Sequence, residues 1–232
     1  MLGENALKVL IVVPAYNEEL NIVKTVNEIK ENTSYDYLVI DDCSKDNTYQ
    51  VCKEHGFNVL HLPINYGLSS VVQIGFKYAI EHDYDAVLQF DGDGQHDAKY
   101  VEKMVKCLEE GNDIVIGSRY VEEKKPVSPR MLGSRVLTFF IKLVTGKKIN
   151  DPTSGMRLFG RSVFDEYALH MNFPPEPDTL VYMLKKGKKI KEVQVQMRDR
   201  EFGESYLNAM RSIKYMLEMT TSIVFIQSFR KR

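Results

Sequence analysis

Through its first half, the chain alternates short apolar, largely β-branched runs with longer stretches whose apolar residues recur every third or fourth place. Residues 8–13 form such a run, stopped by Pro14, and read as a buried strand. Residues 18–31 carry apolar side chains at 20, 22, 23, 26 and 29, the spacing of one helical face. The pattern repeats as strands at 35–40, 57–62, 85–90 and 113–117. Helices are expected at 46–55, with Asp46 or Asn47 as N-cap, at 68–82, and at 98–110, closed by Gly111. Strand-helix alternation of this kind predicts a mainly parallel sheet with helices on both faces. Ligands of such sheets sit beyond the C-terminal ends of the strands. The polar clusters fall there: 14–19, 41–48, 65–69, 91–96 and Ser118-Arg119.

The second half is less regular. Residues 122–129 form a charged, proline-bearing loop, and 131–144 a strongly apolar helix carrying Arg135 and Lys142. Residues 151–157 look turn-like, 189–197 alternate as a strand does, and 205–229 read as one long terminal helix. The expected organisation is a catalytic domain over 1–203 followed by a C-terminal helical extension over 204–232.

Composition narrows the function classes. With 232 residues, 44% of them hydrophobic, the chain can bury one large core or two small ones. A net charge of −1 argues against a nucleic-acid partner. Cys43, Cys52 and Cys107 lack metal spacing and read as free thiols in a reducing compartment. The N-terminus lacks the features of a signal peptide. No uncharged apolar run reaches the roughly 18 residues that span a bilayer. The expected location is cytoplasmic, with peripheral membrane contact still open.

The chemistry concentrates in Phe90-Asp91-Gly92-Asp93-Gly94-Gln95-His96. Two carboxylates one residue apart at a strand end call for an outside cation, and hard dications such as Mg²⁺ or Mn²⁺ take oxygen ligands alongside substrate phosphates. An EF-hand loop is excluded, because His96 stands where its glycine is required and a strand precedes it. A dinucleotide fingerprint or a nucleotidyltransferase loop would need glycines after the first strand, where Pro14-Ala15-Tyr16-Asn17 stands, and no P-loop is present. His96 reads as a structural or outer-shell residue. Tyr16 offers a ring to a base, while Glu18 and Asp41 can accept from base or ribose donors; a plain loop with a helix-start charge pair explains residues 14–19 equally well. Asp46 and Thr48 read as capping residues.

Taken together, Pro14-Ala-Tyr-Asn-Glu-Glu19, Asp41-Asp-Cys-Ser-Lys-Asp-Asn-Thr48, Asn65-Tyr-Gly67, Asp91-Gly-Asp-Gly-Gln-His96, Gly117-Ser-Arg-Tyr120, Asp151-Pro-Thr-Ser-Gly-Met-Arg157 and Arg200-Glu-Phe-Gly-Glu-Ser205 resemble the family 2 glycosyltransferases of GT-A fold. Within that family the chain looks most like the polyprenyl-phosphate sugar synthases of the dolichyl-phosphate mannose and bactoprenol glucose type. The resemblance implies that Pro14, Tyr16, Glu18 and Asp41 line a nucleoside pocket, with Asp91 beside them. It further implies that Asp91, Asp93 and Gln95 hold Mg²⁺ or Mn²⁺, that Arg119 faces the reacting phosphates, and that Arg200 and Ser205 close over the diphosphate. Two departures stand out: Tyr206 replaces a common lysine, and two transmembrane helices found in many bacterial members are missing.

The implied reaction is an inverting transfer from a nucleotide-sugar, UDP-linked by likeness to bacterial members, to a polyprenyl phosphate at the inner membrane face. A lipid phosphate is already ionised and needs cations, for which Arg119, Arg130 and Arg135 are candidates. A sugar hydroxyl, as in cell-surface polysaccharide synthesis, would need a base. Glu176 and Asp178 are the candidates, with Asp178 placed in the catalytic set, although N-capping of a helix over 179–186 is the preferred reading of both. A silent sugar-nucleotide-binding subunit is the third reading. Residues 131–144 and 219–229, the latter followed by Arg230-Lys-Arg232, suit a membrane interface, a homo-oligomer contact or a small membrane-protein partner.

Overall fold

The computed structural model describes residues 7–127, 129–169, 176–199 and 209–226. Seven strands form one sheet: β1 (Val9–Ala15), β2 (Asp36–Asp41), β3 (Val59–His61), β4 (Ala86–Gln89), β5 (Ile114–Ser118), β6 (Arg157–Gly160) and β7 (Ile190–Gln194). Their order is β3-β2-β1-β4-β6-β5-β7. All pairings are parallel except those of β6, which runs antiparallel to both β4 and β5.

Successive side chains of a strand point to opposite faces, and β1 shows why its sequence is apolar throughout. Leu10 and Val12 enter one core with α3 (Leu68–Glu81), α5 (Pro129–Thr145), α6 (Phe164–Leu169) and α7 (Pro177–Lys185). Val9, Ile11 and Val13 enter the other, with α1 (Ile22–Asn32), α2 (Thr48–Glu54) and α4 (Val101–Glu109). Helix α8 (Ala209–Thr221) continues into a π-turn over Ser222–Ile226 and packs on α5, with Ile223 in the first core. Chain order reverses across β1 and β4, so the loops after them diverge and leave a crevice at their C-terminal ends.

The first five strands and four helices lie where the apolar periodicity places them, within four residues at each boundary, although β1 runs on through Pro14 to Ala15, past the stop expected there. The helix expected from residue 98 opens as a 3₁₀ turn over Ala98–Tyr100, because the Asp97 side chain accepts the Lys99 N–H at 3.1 Å. Strand β6 was not foreseen. Only four residues long and buried along its whole length, it shows no alternation to read. No helix among the described residues is long and apolar enough to cross a membrane.

Candidate active site

Register brings the strand ends together. Ala15 on β1 lies beside Asp41 on β2, and Asp41 beside His61 on β3. Asp41 is fully buried; one carboxylate oxygen accepts from the Ser44 hydroxyl and the other lies 2.6 Å from His61 Nδ1. Next to it, Asp42 accepts the Tyr66 and Gly67 N–H groups at 2.7 and 2.8 Å, fixing the segment that opens α3. The loop after β1 is stitched to the loop after β2: the Glu18 N–H donates to Thr48 Oγ1 at 2.8 Å, and the Glu19 N–H to Asp46 at 3.1 Å. Asp46 also accepts the Thr48 N–H at 3.0 Å, while Asn47, at the N-cap position of α2, makes no side-chain capping bond. Tyr16 is left 41% exposed, with its ring available to a flat ligand. Pro14, near the end of β1, and Glu18, on the loop that follows, are half-buried, and Glu18 accepts from Asn21 Nδ2 at 2.7 Å.

Asp91 follows β4 into the crevice. Its carboxylate accepts from Gln89 Nε2 at 3.0 Å, and its backbone N–H donates to Nδ1 of buried His96 at 3.1 Å. That contact leaves the His96 ring proton on Nε2, 3.8 Å from the other Asp91 oxygen. No lysine or arginine pairs with Asp91 among the described residues. Asp93 accepts the Gln95 N–H at 3.1 Å. Gln95 Nε2 donates to the Arg198 carbonyl at 3.2 Å, and the Arg198 N–H returns to the Gln95 carbonyl at 2.8 Å. The donation turns the Gln95 amide so that Oε1 points away from that contact. Two carboxylates and an amide oxygen are an all-oxygen donor set suited to Mg²⁺ or Mn²⁺. Glycine at 155 is what seats the first of these carboxylates: a Cβ there would lie 2.3 Å from Asp91 Oδ2, so the carboxylate fills a cradle that only glycine leaves open. No cluster of three or more His, Cys, Asp or Glu able to hold a metal occurs among the described residues, so such an ion would also depend on Gln95 or on ligand oxygens.

Arg119, directly after β5, grips fully buried Asp151 with Nε and Nη2 at 2.7 and 2.8 Å and with its backbone N–H at 3.2 Å. The fork holds its guanidinium pKa above the ordinary value against the opposing effect of burial. Asp151 is itself seated by Glu192, which accepts from its N–H at 2.8 Å and from Asn150 N and Nδ2 at 2.7 and 2.9 Å. Arg135 is exposed on α5 and donates to the Lys125 carbonyl at 2.7 Å. The Arg130 side chain, Arg200 and Ser205 lie outside the described residues.

Glu176 and Asp178 open α7 but face α8. Tyr215 donates its hydroxyl to Glu176, and Ser222 donates to Asp178 at 2.6 Å. Glu176 occupies the N-cap position without capping through its side chain, contrary to the capping role read from the sequence. Burial holds its carboxyl above the usual range.

Four contributors escaped the sequence reading. His61, Gly155 and Arg198 act through partners 20, 64 and 103 positions away, a separation no local pattern reports. Lys125 looked like one charge among several in an exposed loop; instead its Nζ sits against Ser134 and Thr138 on α5.

The model of the family described as "Glycosyl transferase family 2" matches residues 10–168. An uncharacterized protein of Methanocaldococcus jannaschii is 31% identical over 95% of this chain and 94% of its own length. The undecaprenyl-phosphate mannosyltransferase of Micrococcus luteus is 27% identical over 87% and 88%. The dolichol-phosphate mannosyltransferase of Pyrococcus furiosus is 30% identical over 90% of this chain and 62% of that one. Glucosyl-3-phosphoglycerate synthase from Mycobacterium tuberculosis, solved with Mn²⁺, UDP and phosphoglyceric acid, shares the fold with a TM-score of 0.67 at 16% identity, over 97% of this chain and 80% of that one. The protein is therefore a glycosyltransferase of GT-A fold, and the chain belongs to glycosyl transferase family 2.

Proposed function

We propose that the protein transfers a sugar from a nucleotide-sugar, a UDP-sugar in our reading, to the phosphate of a polyprenyl phosphate, with inversion at the anomeric carbon. The observation that carries this reading is the Asp91 carboxylate, seated at the end of β4 in a cradle kept open by Gly155 and without a lysine or arginine partner among the described residues. Mannosyltransferases acting on undecaprenyl and dolichol phosphate are among its relatives, and a protein of the same fold has been solved with Mn²⁺ and UDP.

In this reading Tyr16 stacks on the base, and Pro14, Glu18 and the Ser44–Asp41–His61 set shape the nucleoside pocket. Asp91, Asp93 and Gln95 hold Mg²⁺ or Mn²⁺, which supplies Lewis-acid stabilisation of the leaving diphosphate. Arg119, kept charged and oriented by Asp151, presents preorganised positive charge to the reacting phosphates. Arg130, Arg135, Arg200 and Ser205 are assigned to the phosphates as well. A phosphate acceptor needs no base. Consistent with that, Glu176 accepts a hydroxyl from Tyr215 on α8 and Asp178 one from Ser222 in the π-turn that follows it, which disfavours the sugar-hydroxyl acceptor and a base role for Asp178.

The acceptor's lipid chain needs an apolar surface. Along α5, Leu132, Val136, Phe139 and Leu143 are exposed at helical spacing, with Arg135 and Lys142 exposed among them. A stripe of this kind suits the inner membrane face, apolar side chains inward and cations on anionic headgroups. The test is a donor screen with purified protein, Mn²⁺ and a short-chain polyprenyl phosphate. Glycosylated lipid phosphate is expected; glycosylation of sugar hydroxyls alone would overturn the acceptor assignment.

A further inference from the structure

Lys125 lies between β5 and α5 and is half-buried. Its Nζ donates to Ser134 Oγ at 2.8 Å, Thr138 Oγ1 at 3.1 Å and the Ser134 carbonyl at 3.3 Å, all neutral oxygens. No carboxylate pairs with it among the described residues. The Tyr120 ring has two cations near it, with Arg119 Cζ 5.3 Å and Lys125 Nζ 5.6 Å from its centroid. Arg135 holds the Lys125 carbonyl from α5. Three cations thus gather where the acids in reach, Asp151 and Glu192, are already engaged by Arg119 and by backbone and amide N–H groups. A partly desolvated ammonium among neutral oxygens is electrostatically under-compensated, and an anion relieves it.

We propose that Lys125, seated against Ser134 and Thr138 beside Arg119 and Arg135, binds the ionised phosphate of the acceptor. This rests on the phosphate-acceptor reading given above. Burial pushes the Lys125 amine down to about 8, with Arg119 and Arg135 lowering it further and Asp151 and Glu192 opposing them. Tyr120 faces it through its ring, and Glu122, Glu123 and Lys124 on its own segment are exposed to solvent. An anionic acceptor favours the charged amine, so acceptor affinity is full below that pKa and declines above it.

The experiment measures binding of a short-chain polyprenyl phosphate to the full chain between pH 7 and 9, with UDP binding and thermal melting as parallel readouts. Wild type should lose about tenfold in acceptor affinity across that range, the factor set by a group titrating near 8. Lys125→Arg stays charged and should bind with little pH dependence, while Lys125→Met should bind weakly at every pH; UDP affinity should stay unchanged in both. An unaltered pH fall in Lys125→Arg, or wild-type affinity in a folded Lys125→Met, overturns the assignment and leaves the acceptor reading standing. Failure of wild type to bind or glycosylate polyprenyl phosphate, with a sugar hydroxyl accepted instead, overturns both.

Discussion

Gly155 and Asp91 occupy one space between them: a Cβ at position 155 would stand 2.3 Å from the Asp91 carboxylate oxygen. The obstructed atom is the end of a side chain, so the fold can relax by rotating the carboxylate away. Gly155→Ala is therefore expected to cost at most about 1 kcal/mol of stability. It should lower transfer roughly 100-fold, the scale of a displaced reacting geometry. Activity assayed beside a denaturant melt checks this; wild-type turnover in the folded variant would remove the cradle from the account.

Arg198 orients Gln95 from outside the motif. Its guanidinium is pinned by Glu28, at 2.5 and 3.1 Å, and by Asp97 at 3.4 Å. The guanidinium is more than a third exposed, so the pair itself is worth about 1 kcal/mol or less after solvent screening. Gln95 is met by the Arg198 main chain, so the side chain should reach the metal site only by holding that backbone in place, with an expected loss of metal affinity of up to about tenfold. Mn²⁺ binding to Arg198→Met, followed by electron paramagnetic resonance in the presence of UDP, should show that weakening, and an unchanged affinity would assign Arg198 to stability alone.

Asp151 seats Arg119, and removing its charge leaves a guanidinium without its partner in a site only 25% exposed at that side chain. Asp151→Asn should destabilise the fold by about 1–3 kcal/mol, below the figure for a fully buried pair because water reaches Arg119. Turnover should fall with little change in nucleotide affinity. A loss confined to nucleotide binding would move Arg119 away from the reacting phosphates.

The Glu176–Tyr215 contact predicts a pH dependence of stability. Burial raises the Glu176 carboxyl, and the Tyr215 hydroxyl and Arg157 only partly offset it. The folded protein therefore holds this proton where the unfolded chain has lost it. Its contribution is complete below the unfolded carboxylate value, near 4.3, and is lost as pH rises through the higher folded value. Glu176→Gln should flatten that acidic-to-neutral decline in urea melts and gain stability relative to wild type near pH 7. Parallel pH profiles for the two proteins would contradict the assignment.

How much of this was legible follows from distance along the chain. Strands such as β1 announce themselves because five successive apolar residues, Val9 to Val13, are all buried, and Asp91-Gly-Asp-Gly-Gln is a contiguous motif. The reach of Asp41 to His61, and of Gln95 to Arg198, exists only after the sheet has formed and carries no periodic trace. Strand β6 is hidden for a related reason: four buried residues between two partners need no polar face. Glu176 was misread as a cap because Pro177 marks a helix start, yet the side chain turns instead to a hydroxyl 39 residues later.

In the proposed reaction Asp91 and Asp93 make sugar transfer depend on a dication. The most direct measurement is the rate of transfer to a short-chain polyprenyl phosphate by wild type and Asp93→Ala, each titrated with chelator and then with Mn²⁺. Chelation should abolish wild-type transfer, Mn²⁺ should restore it, and Asp93→Ala should stay at least about 100-fold slower at every Mn²⁺ concentration. Full turnover in chelator, or a folded Asp93→Ala that transfers as wild type does, would contradict that dependence.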